Sequence, residues 1–421
     1  MQADQGIDWV VLAGGFGTRS ADPSRPKILQ RVGATTLLAR HLVNVAALGP
    51  SRVVFVLHHG ADQVRRELES ERLKHTHLDI VVAEDAGIGA VPALGLGLSL
   101  CKSETVGLIL GDTYINADLQ RLLRSWKYSG RKMGVVGRVS DHIFDSDSVS
   151  INHELSVTAF SHKGNASREG GHLFGLTGLA FFDRGTIKLL SKNAKDAIPA
   201  ILEDVGVSEC SFVPALGHFR DTGTPERLAS AEKLDALFPN MGAVDPNPGA
   251  VFFDRDDTLV RDESRGRVSL AVDDLNMELV RRLAVASERG ISLHMVSNQP
   301  AIAKGWTTFE DTYAVNNELA TMLLTEGVKV TTMQFCPHHP EPGFQGEITN
   351  LKILCQCRKP GTGMFLNAAK VASIDLKKSI MVGDSAADEQ AAQALKMQFQ
   401  GIVWGNRNAR LSTLEAWIDT H

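Results

Sequence analysis

Short apolar runs alternate with stretches of helical spacing along the chain. The runs fall at residues 7–13, 53–57, 80–83 and 106–110, and again at 251–253, 291–296, 330–335 and 380–382. Runs of that length suit buried strands, and the helix-period spacing of Leu275, Leu279, Leu283 and Ala286 predicts a crossover between two of them. Further helices are predicted over residues 225–237 and 309–326. Strands alternating with helices imply α/β architecture with mostly parallel sheets. In such sheets ligands collect at the carboxyl ends of strands, so the residues just after each apolar run are where chemistry is expected.

The alternation is interrupted once. Residues 238–249 concentrate Pro239, Asn240, Gly242, Pro246, Pro248 and Gly249 between a helix and a strand, a boundary composition. A length of 421 residues fits two domains, expected at 1–237 and 250–421 with 238–249 as linker. A hydrophobic fraction of 43% and a charged fraction of 22% exclude a largely disordered chain. The net charge of -5 gives no broad basic surface for nucleic acid. Phosphorylated small molecules are therefore the expected ligands, held by a few cations, backbone amides or metals. No signal-like start or membrane-length apolar run is present, and a cytoplasmic protein with no membrane partner is expected. Oligomerisation is left open.

In the first half, the 7–13 run stops in Gly14-Gly15-Phe16-Gly17-Thr18-Arg19. Glycines let backbone N–H groups approach an anion closely, Arg19 can add charge-assisted hydrogen bonds, and Lys27 offers a second cation. Asp112 follows the 106–110 run and Asp221 precedes the helix at 225. Two carboxylates from distant segments can hold one Mg²⁺ against a triphosphate.

These motifs, Leu12-Ala13-Gly14-Gly15-Phe16-Gly17-Thr18-Arg19, Pro26-Lys27, Gly111-Asp112 and Asp221-Thr222-Gly223-Thr224-Pro225, resemble those of sugar-1-phosphate nucleotidyltransferases. The heptose-1-phosphate or mannose-1-phosphate guanylyltransferase type is the nearest in character. The resemblance implies a Rossmann-like mixed sheet in which Leu12, Ala13, Gly14, Gly15, Gly17 and Thr18 bind the nucleotide. It further implies that Arg19 and Lys27 act on its phosphates and that Asp112 and Asp221 bind Mg²⁺. More loosely, it assigns residues 84–90, with Glu84 and Gly89, to the base and sugar, Lys163 to the sugar phosphate and Glu203 to the acceptor.

In the second half, the 251–253 run delivers Asp254 and Asp256, the 291–296 run delivers Ser297 and Asn298, and the 380–382 run delivers Asp384. Three strands thus carry polar groups to one sheet edge. Cys336 and His338, with Cys355 and Cys357, supply three sulfurs and an imidazole in two close pairs, the ligand set of a closed structural Zn²⁺ site. The zinc is expected to fix Arg358 and Lys359 for phosphate binding.

The order Asp254-x-Asp256-x-Thr258, Ser297, Lys359 and Gly383-Asp384-x-x-x-Asp388 resembles the haloacid dehalogenase (HAD) superfamily of phosphatases. That resemblance implies a HAD-like parallel sheet with Asp254 as nucleophile and Asp256 as proton donor and acceptor. Mg²⁺ would be held by Asp254, Asp256 through its carbonyl, and Asp384. Ser297, Asn298, Arg358 and Lys359 would meet the substrate, and Asp388 would order Lys359 or the Asp384 loop. The zinc loop narrows the resemblance to the heptose-1,7-bisphosphate phosphatase and histidinol-phosphatase branch. One position departs from the pattern, since Asp257 stands where glycine is common; strain follows if that backbone needs positive φ.

The two resemblances together imply a bifunctional enzyme that removes the 7-phosphate of a heptose 1,7-bisphosphate and transfers a nucleotidyl group, GMP foremost, to the heptose 1-phosphate. Mannose 1-phosphate or another sugar, or a non-catalytic role for one half, are the alternatives.

Overall fold

A computed structural model of the protein describes residues 6–15, 24–49, 51–140, 146–165, 170–188, 190, 195–237, 247–261, 270–403 and 411–421. Its contacts divide the chain into two compact units, residues 1–136 with 176–244 and residues 137–175 with 245–421. The predicted linker lies largely outside the described residues.

The strands in chain order begin with β1 (Ile7–Ala13), β2 (Arg31–Val32), β3 (Thr35–Thr36), β4 (Arg52–Leu57), β5 (Asp79–Glu84), β6 (Thr105–Leu110), β7 (Thr113–Asn116) and β8 (Met133–Arg138). They continue with β9 (Ser148–Ile151), β10 (Val157–Ser161), β11 (His172–Asp183), β12 (Cys210–Pro214) and β13 (His218–Asp221). β1 lies parallel between β4 and β6, and β5 runs parallel to β4. Residues 179–183 of β11 run antiparallel to β6, which makes the sheet mixed. Side-chain volume sets this core. Gly107 leaves room for Trp9, whose ring a Cβ at 107 would meet at 2.4 Å. Trp9 is edge-on to Phe181 at 6.0 Å, and Phe181 stacks on Trp126 at 5.9 Å. All three rings are buried, the large apolar payload that anchors a core.

The second unit is built on β14 (Ala250–Phe253), β15 (Ser292–Asn298), β16 (Thr332–Cys336), β17 (Ile380–Gly383) and β18 (Gln398–Gly401), in the order β16-β15-β14-β17-β18, all parallel. Its central strand, Ala-Val-Phe-Phe, is wholly buried on both faces, as a strand inside a parallel sheet must be. The helix Met277–Glu288 starts where Asn276 accepts from Leu279 N, and Phe309–Thr325 starts on a Thr308–Asp311 capping box.

The sequence places residues 137–175 within 1–237, whereas their contacts group them with the second unit. Hydrogen bonds between a side-chain amide and the backbone account for this. Asn317 on the helix Phe309–Thr325 accepts from Leu173 N at 3.0 Å and donates to the Gly171 carbonyl at 3.0 Å, binding the start of β11 as a neighbouring strand would. Among the described residues, no helix is long and apolar enough to cross a membrane.

Each unit buries a neutral histidine. Burial, opposed by a hydrogen bond to the Gly111 carbonyl and aided by Arg40, drives His41 down to about 4. Burial, with His153 and the Arg255 cation adding, drives His172 down to about 3. Below pH 6.5 the unfolded chain binds protons that these folded imidazoles refuse, so stability is lost progressively as pH falls from 6.5 toward those values. Each imidazole contributes a loss of up to a few kcal/mol. Urea unfolding between pH 7 and 5 should show this slope, and His172→Phe should flatten it for the second unit.

Candidate active sites

In the first unit β1 and β6 end side by side, Leu12 opposite Leu110. The two chains leave the sheet under tight packing. A Cβ at Gly111 would lie 2.8 Å from the Leu12 carbonyl oxygen, and one at Gly14 would lie 3.0 Å from His58 Cβ. Asp112 follows, with its Oδ2 2.7 Å from Lys27 Nζ. Antiparallel pairing of β13 with β7 sets Asp221 opposite Thr113, and Thr222 donates its N–H (3.0 Å) and its hydroxyl (2.9 Å) to the Asp112 carbonyl. Asp221 is itself held by Gly223 N at 2.5 Å and Arg227 Nη1 at 2.6 Å. Lys27, Asp112 and Asp221 therefore converge at one strand edge. Two carboxylates so placed suit a divalent cation, and the lysine can move from Asp112 to an incoming phosphate.

Leu12 and Ala13 close β1, Gly14 and Gly15 follow it, and Gly17, Thr18 and Arg19 lie outside the described residues. Glu84 ends β5 and binds Arg65 at 2.6 Å, while Gly89 precedes the helix Ala90–Ser99 at φ 131°. Glu203 is exposed on the helix Ala197–Val205. Lys163 is exposed in the turn after β10, its N–H bound to Asp147 at 3.0 Å. Arg227 and His58 were not among the sequence candidates. His58 wedges between Gly14 and Gly87, where a Cβ would meet its Nε2 at 2.4 Å, and faces Asp85 at 3.6 Å. Its place directly after β4, at the carboxyl end of a strand, is the signal that could have found it.

In the second unit Asp254 leaves the end of β14, and its N–H donates to the Val382 carbonyl of β17 at 3.0 Å. Lys359 reaches it from the far loop. The buried ammonium donates to the Val296 carbonyl at 2.9 Å and lies 2.8 Å from Asp254 Oδ1 and 2.6 Å from Asp388 Oδ1. Burial works against that charge, but the two carboxylates outweigh it and hold Lys359 above its ordinary value. Burial pushes Asp254 up to about 6, against the pull of Lys359 and with Asp388 and Asp256 adding.

Asp388 also closes a capping box with Ser385 at the start of the helix Ala386–Ala394. Asp384 receives the Thr258 hydroxyl at 3.2 Å. One oxygen each from Asp254, Asp384 and Asp388 lies within 4.8 Å of the others, close enough to share a cation. The Asp256 side chain belongs to a different group: Arg255 Nε meets its Oδ1 at 2.8 Å, and Gln299 Nε2 meets its Oδ2 at 2.5 Å. Ser297 is 1% exposed and accepts from Gln299 at 2.9 Å. Both ends of the Asn298 amide bind the Lys359 backbone, donating at 3.0 Å and accepting at 2.9 Å, so this residue fixes the lysine. Arg255, Gln299 and Thr258 were missed as site residues, although all three lie inside or beside the motifs that flagged the site.

Asp257 adopts φ 53°, the left-handed conformation, with its N–H bound to the Val260 carbonyl at 2.7 Å. The turn that brings Asp254 and Asp256 into the site therefore holds an L-residue where glycine costs less. Asp257→Gly should stabilise the second unit by up to about 1 kcal/mol, read as a higher urea midpoint. A lower midpoint would mean that side-chain contacts of Asp257 outweigh the backbone strain.

The four sulfur and imidazole ligands converge. Cys336 Sγ lies 3.4 Å from His338 Nδ1, 3.5 Å from Cys355 Sγ and 3.2 Å from Cys357 Sγ, and Cys357 Sγ lies 3.3 Å from Cys355 Sγ. Ligands of a tetrahedral Zn²⁺ at a zinc–sulfur distance of about 2.3 Å stand roughly 3.8 Å apart, so this cluster needs only slight expansion to hold a metal. Hydrogen bonding from Cys336, with Cys355 and His338 contributing against burial, lowers the Cys357 thiol to about 5, the thiolate a metal requires. Arg358, next in the chain, points Nη1 at the His338 carbonyl, 3.5 Å away.

Comparison with known proteins matches residues 9–211 to the MobA-like NTP transferase domain and residues 356–416 to a HAD-hydrolase-like family. The D-glycero-beta-D-manno-heptose-1,7-bisphosphate 7-phosphatase of Rhodopseudomonas palustris is 32% identical over 162 residues, 37% of this chain and 83% of that protein. The enzyme of the same name from Vibrio cholerae is 38% identical over 146 residues, 34% of this chain and 75% of that protein. The crystal structure of HddC from Yersinia pseudotuberculosis aligns with 54% of this chain and 98% of its own at 21% identity and a TM-score of 0.44.

Proposed function

Because the chain belongs to the HAD-like heptose-bisphosphate phosphatase family and also carries a MobA-like NTP transferase domain, we propose that it makes a nucleotide-activated heptose in two steps. The second unit removes the 7-phosphate of D-glycero-D-manno-heptose 1,7-bisphosphate. The first unit joins the resulting heptose 1-phosphate to a nucleotide, GMP from GTP foremost, to give GDP-heptose. One observation carries this reading: the product of the phosphatase named by the relatives is a sugar 1-phosphate, the acceptor that a sugar nucleotidyltransferase consumes.

The residues divide the chemistry. In the second unit a carboxylate oxygen of Asp254 attacks phosphorus, the bond to the sugar oxygen breaks, and Asp256 gives that oxygen a proton. Asp256 then takes a proton from water, which attacks the aspartyl phosphate and releases inorganic phosphate and free Asp254. Lys359 neutralises the phosphoryl charge, and Ser297 and Arg358 orient the substrate. Asp254, Asp384 and the Asp256 carbonyl would hold Mg²⁺, which when bound offsets phosphate charge. Cys336, His338, Cys355 and Cys357 would hold a structural Zn²⁺, which ties down the loop that carries Arg358 and Lys359.

In the first unit a sugar-phosphate oxygen attacks the α-phosphorus of the triphosphate, and the bond to pyrophosphate breaks. No protein group becomes covalently linked. Gly14, Gly15 and the loop through Arg19 receive the nucleotide, Lys27 screens its phosphates, and Asp112 and Asp221 would hold Mg²⁺. Alignment of two mutually repelling anions is the main contribution.

The test supplies heptose 1,7-bisphosphate with GTP, ATP, CTP or UTP in turn and identifies products by mass. GDP-heptose with phosphate and pyrophosphate is expected. Phosphate release with no sugar nucleotide from any triphosphate would remove the two-step reading.

A further inference from the structure

We infer that His172, at the start of β11, and Asn316, on the helix Phe309–Thr325, are positioning residues that fix the proton-transferring carboxylate of Asp256 through Arg255. The inference rests on the acid–base reading of Asp256 given above.

Asp256 is gripped at both oxygens, by Arg255 Nε on Oδ1 at 2.8 Å and by Arg255 Nη2 and Gln299 Nε2 on Oδ2 at 3.1 and 2.5 Å. A carboxylate that must deliver a proton along one line needs such a clamp, provided the clamp itself is fixed. Arg255 is 8% exposed. Its remaining nitrogen, Nη1, donates to Asn316 Oδ1 at 2.9 Å, and Nη2 also donates to Gln299 Oε1 at 2.7 Å.

The Asn316 amide is wholly buried, and its orientation follows from what flanks it. A guanidinium only donates, so the amide oxygen faces Arg255 and the NH₂ faces the other way. There it meets His172 Nε2 at 3.1 Å. Nε2 must accept, which places the imidazole proton on Nδ1 and leaves the ring neutral. The strongly lowered pKa of this buried histidine agrees with that state. Without the imidazole acceptor the amide can turn over and present hydrogens to the guanidinium, loosening the clamp on Asp256.

The same helix face is fastened to the 137–175 segment on either side of this contact. Tyr313 meets His153 Nδ1 through its hydroxyl at 3.1 Å, and Asn317 holds both Leu173 N and the Gly171 carbonyl. Residues 313, 316 and 317 share one face by helical spacing. His172, on the 137–175 segment of the second unit, thus sets the geometry of the phosphatase acid.

The test uses the full chain and two phosphomonoesters, heptose 1,7-bisphosphate and p-nitrophenyl phosphate. The heptose alkoxide needs a proton to leave, whereas p-nitrophenolate leaves without one. Hydrolysis of the aspartyl phosphate by Asp256 follows with both, so the first step is read alone, with enzyme in excess, as release of the dephosphorylated sugar or of p-nitrophenolate. His172→Phe keeps an aromatic ring against Tyr313, 4.9 Å away, but removes the acceptor. It should lower the single-turnover rate of sugar release from the heptose substrate about tenfold, with the single-turnover release of p-nitrophenolate within about twofold. His172→Gln, which restores an acceptor oxygen, should recover most of the loss. Asn316→Ala should reproduce the selective loss and carries the test if the phenylalanine variant does not fold.

Equal losses of the single-turnover rate on both substrates, or none, would overturn the inference. Asp256→Asn separates the two readings. Selective loss there without selective loss in His172→Phe and Asn316→Ala sinks the positioning role alone, and no selectivity in Asp256→Asn sinks the acid–base reading and this inference with it.

Discussion

Asp254→Asn is expected to reduce phosphate release from heptose 1,7-bisphosphate by on the order of 10³-fold or more, while pyrophosphate release from a supplied sugar 1-phosphate and triphosphate continues at the wild-type rate. The amide cannot attack phosphorus, and it also replaces the charge that Lys359 meets at 2.8 Å. Asp112→Ala should do the reverse, because it removes the carboxylate that Lys27 meets at 2.7 Å and one of the two proposed metal ligands of the first unit. A double dissociation of this kind, read with phosphate and pyrophosphate assays on the same preparations, assigns each reaction to its own carboxylates. If Asp254→Asn retained phosphatase activity, the nucleophile would have to lie elsewhere. If it abolished both reactions with no loss of folding, the two sites would not be separable as drawn.

Much of this was legible because parallel strands announce themselves. β1, β4, β6, β14, β15 and β17 read as apolar runs, since a strand covered on both faces has little room for polar side chains. The residues at their ends, Asp112, Asp254, Ser297 and Asp384, were therefore visible before any fold was known. The antiparallel strands were not. β9, Ser-Val-Ser-Ile, and β10, Val-Thr-Ala-Phe-Ser, mix polar and apolar positions over only four and five residues and show no longer pattern. The grouping of 137–175 with the second unit was invisible for a related reason. It depends on single amide and imidazole contacts, Asn317 to Gly171 and Leu173, and Asn316 to His172, and residues 144–146 apart in sequence leave no local trace. Arg255 was passed over as the x of a motif, although the geometry makes it the hub between Asp256, Gln299 and Asn316.

The zinc reading leads to the other large effect. The segment between Cys336 and Cys357 carries little regular structure: among the described residues it contributes only the short helical turn Thr349–Leu351, and its apolar Ile353 and Leu354 are 44% and 89% exposed. Its internal contacts are local, with Glu347 accepting from Gly343 N and Phe344 N and His339 N donating to the Leu351 carbonyl. What holds the two ends together is the convergence of Cys336, His338, Cys355 and Cys357. In small domains held this way, metal binding amounts to about 10–16 kcal/mol of apparent free energy at neutral pH, far more than the loop's own contacts can replace. The purified chain is therefore expected to contain one zinc per molecule by elemental analysis. Cys355→Ser should lower that content and make residues 337–359 sensitive to limited proteolysis. Lys359, two residues beyond Cys357, meets Asp254 and Asp388, so loosening this loop should lower phosphatase kcat by at least about tenfold, with transferase activity unchanged. Proteolysis reports on the loop independently of turnover. A chain that carries no zinc as isolated, or a Cys355→Ser variant with full protection of the loop, would show that the four ligands meet for packing alone.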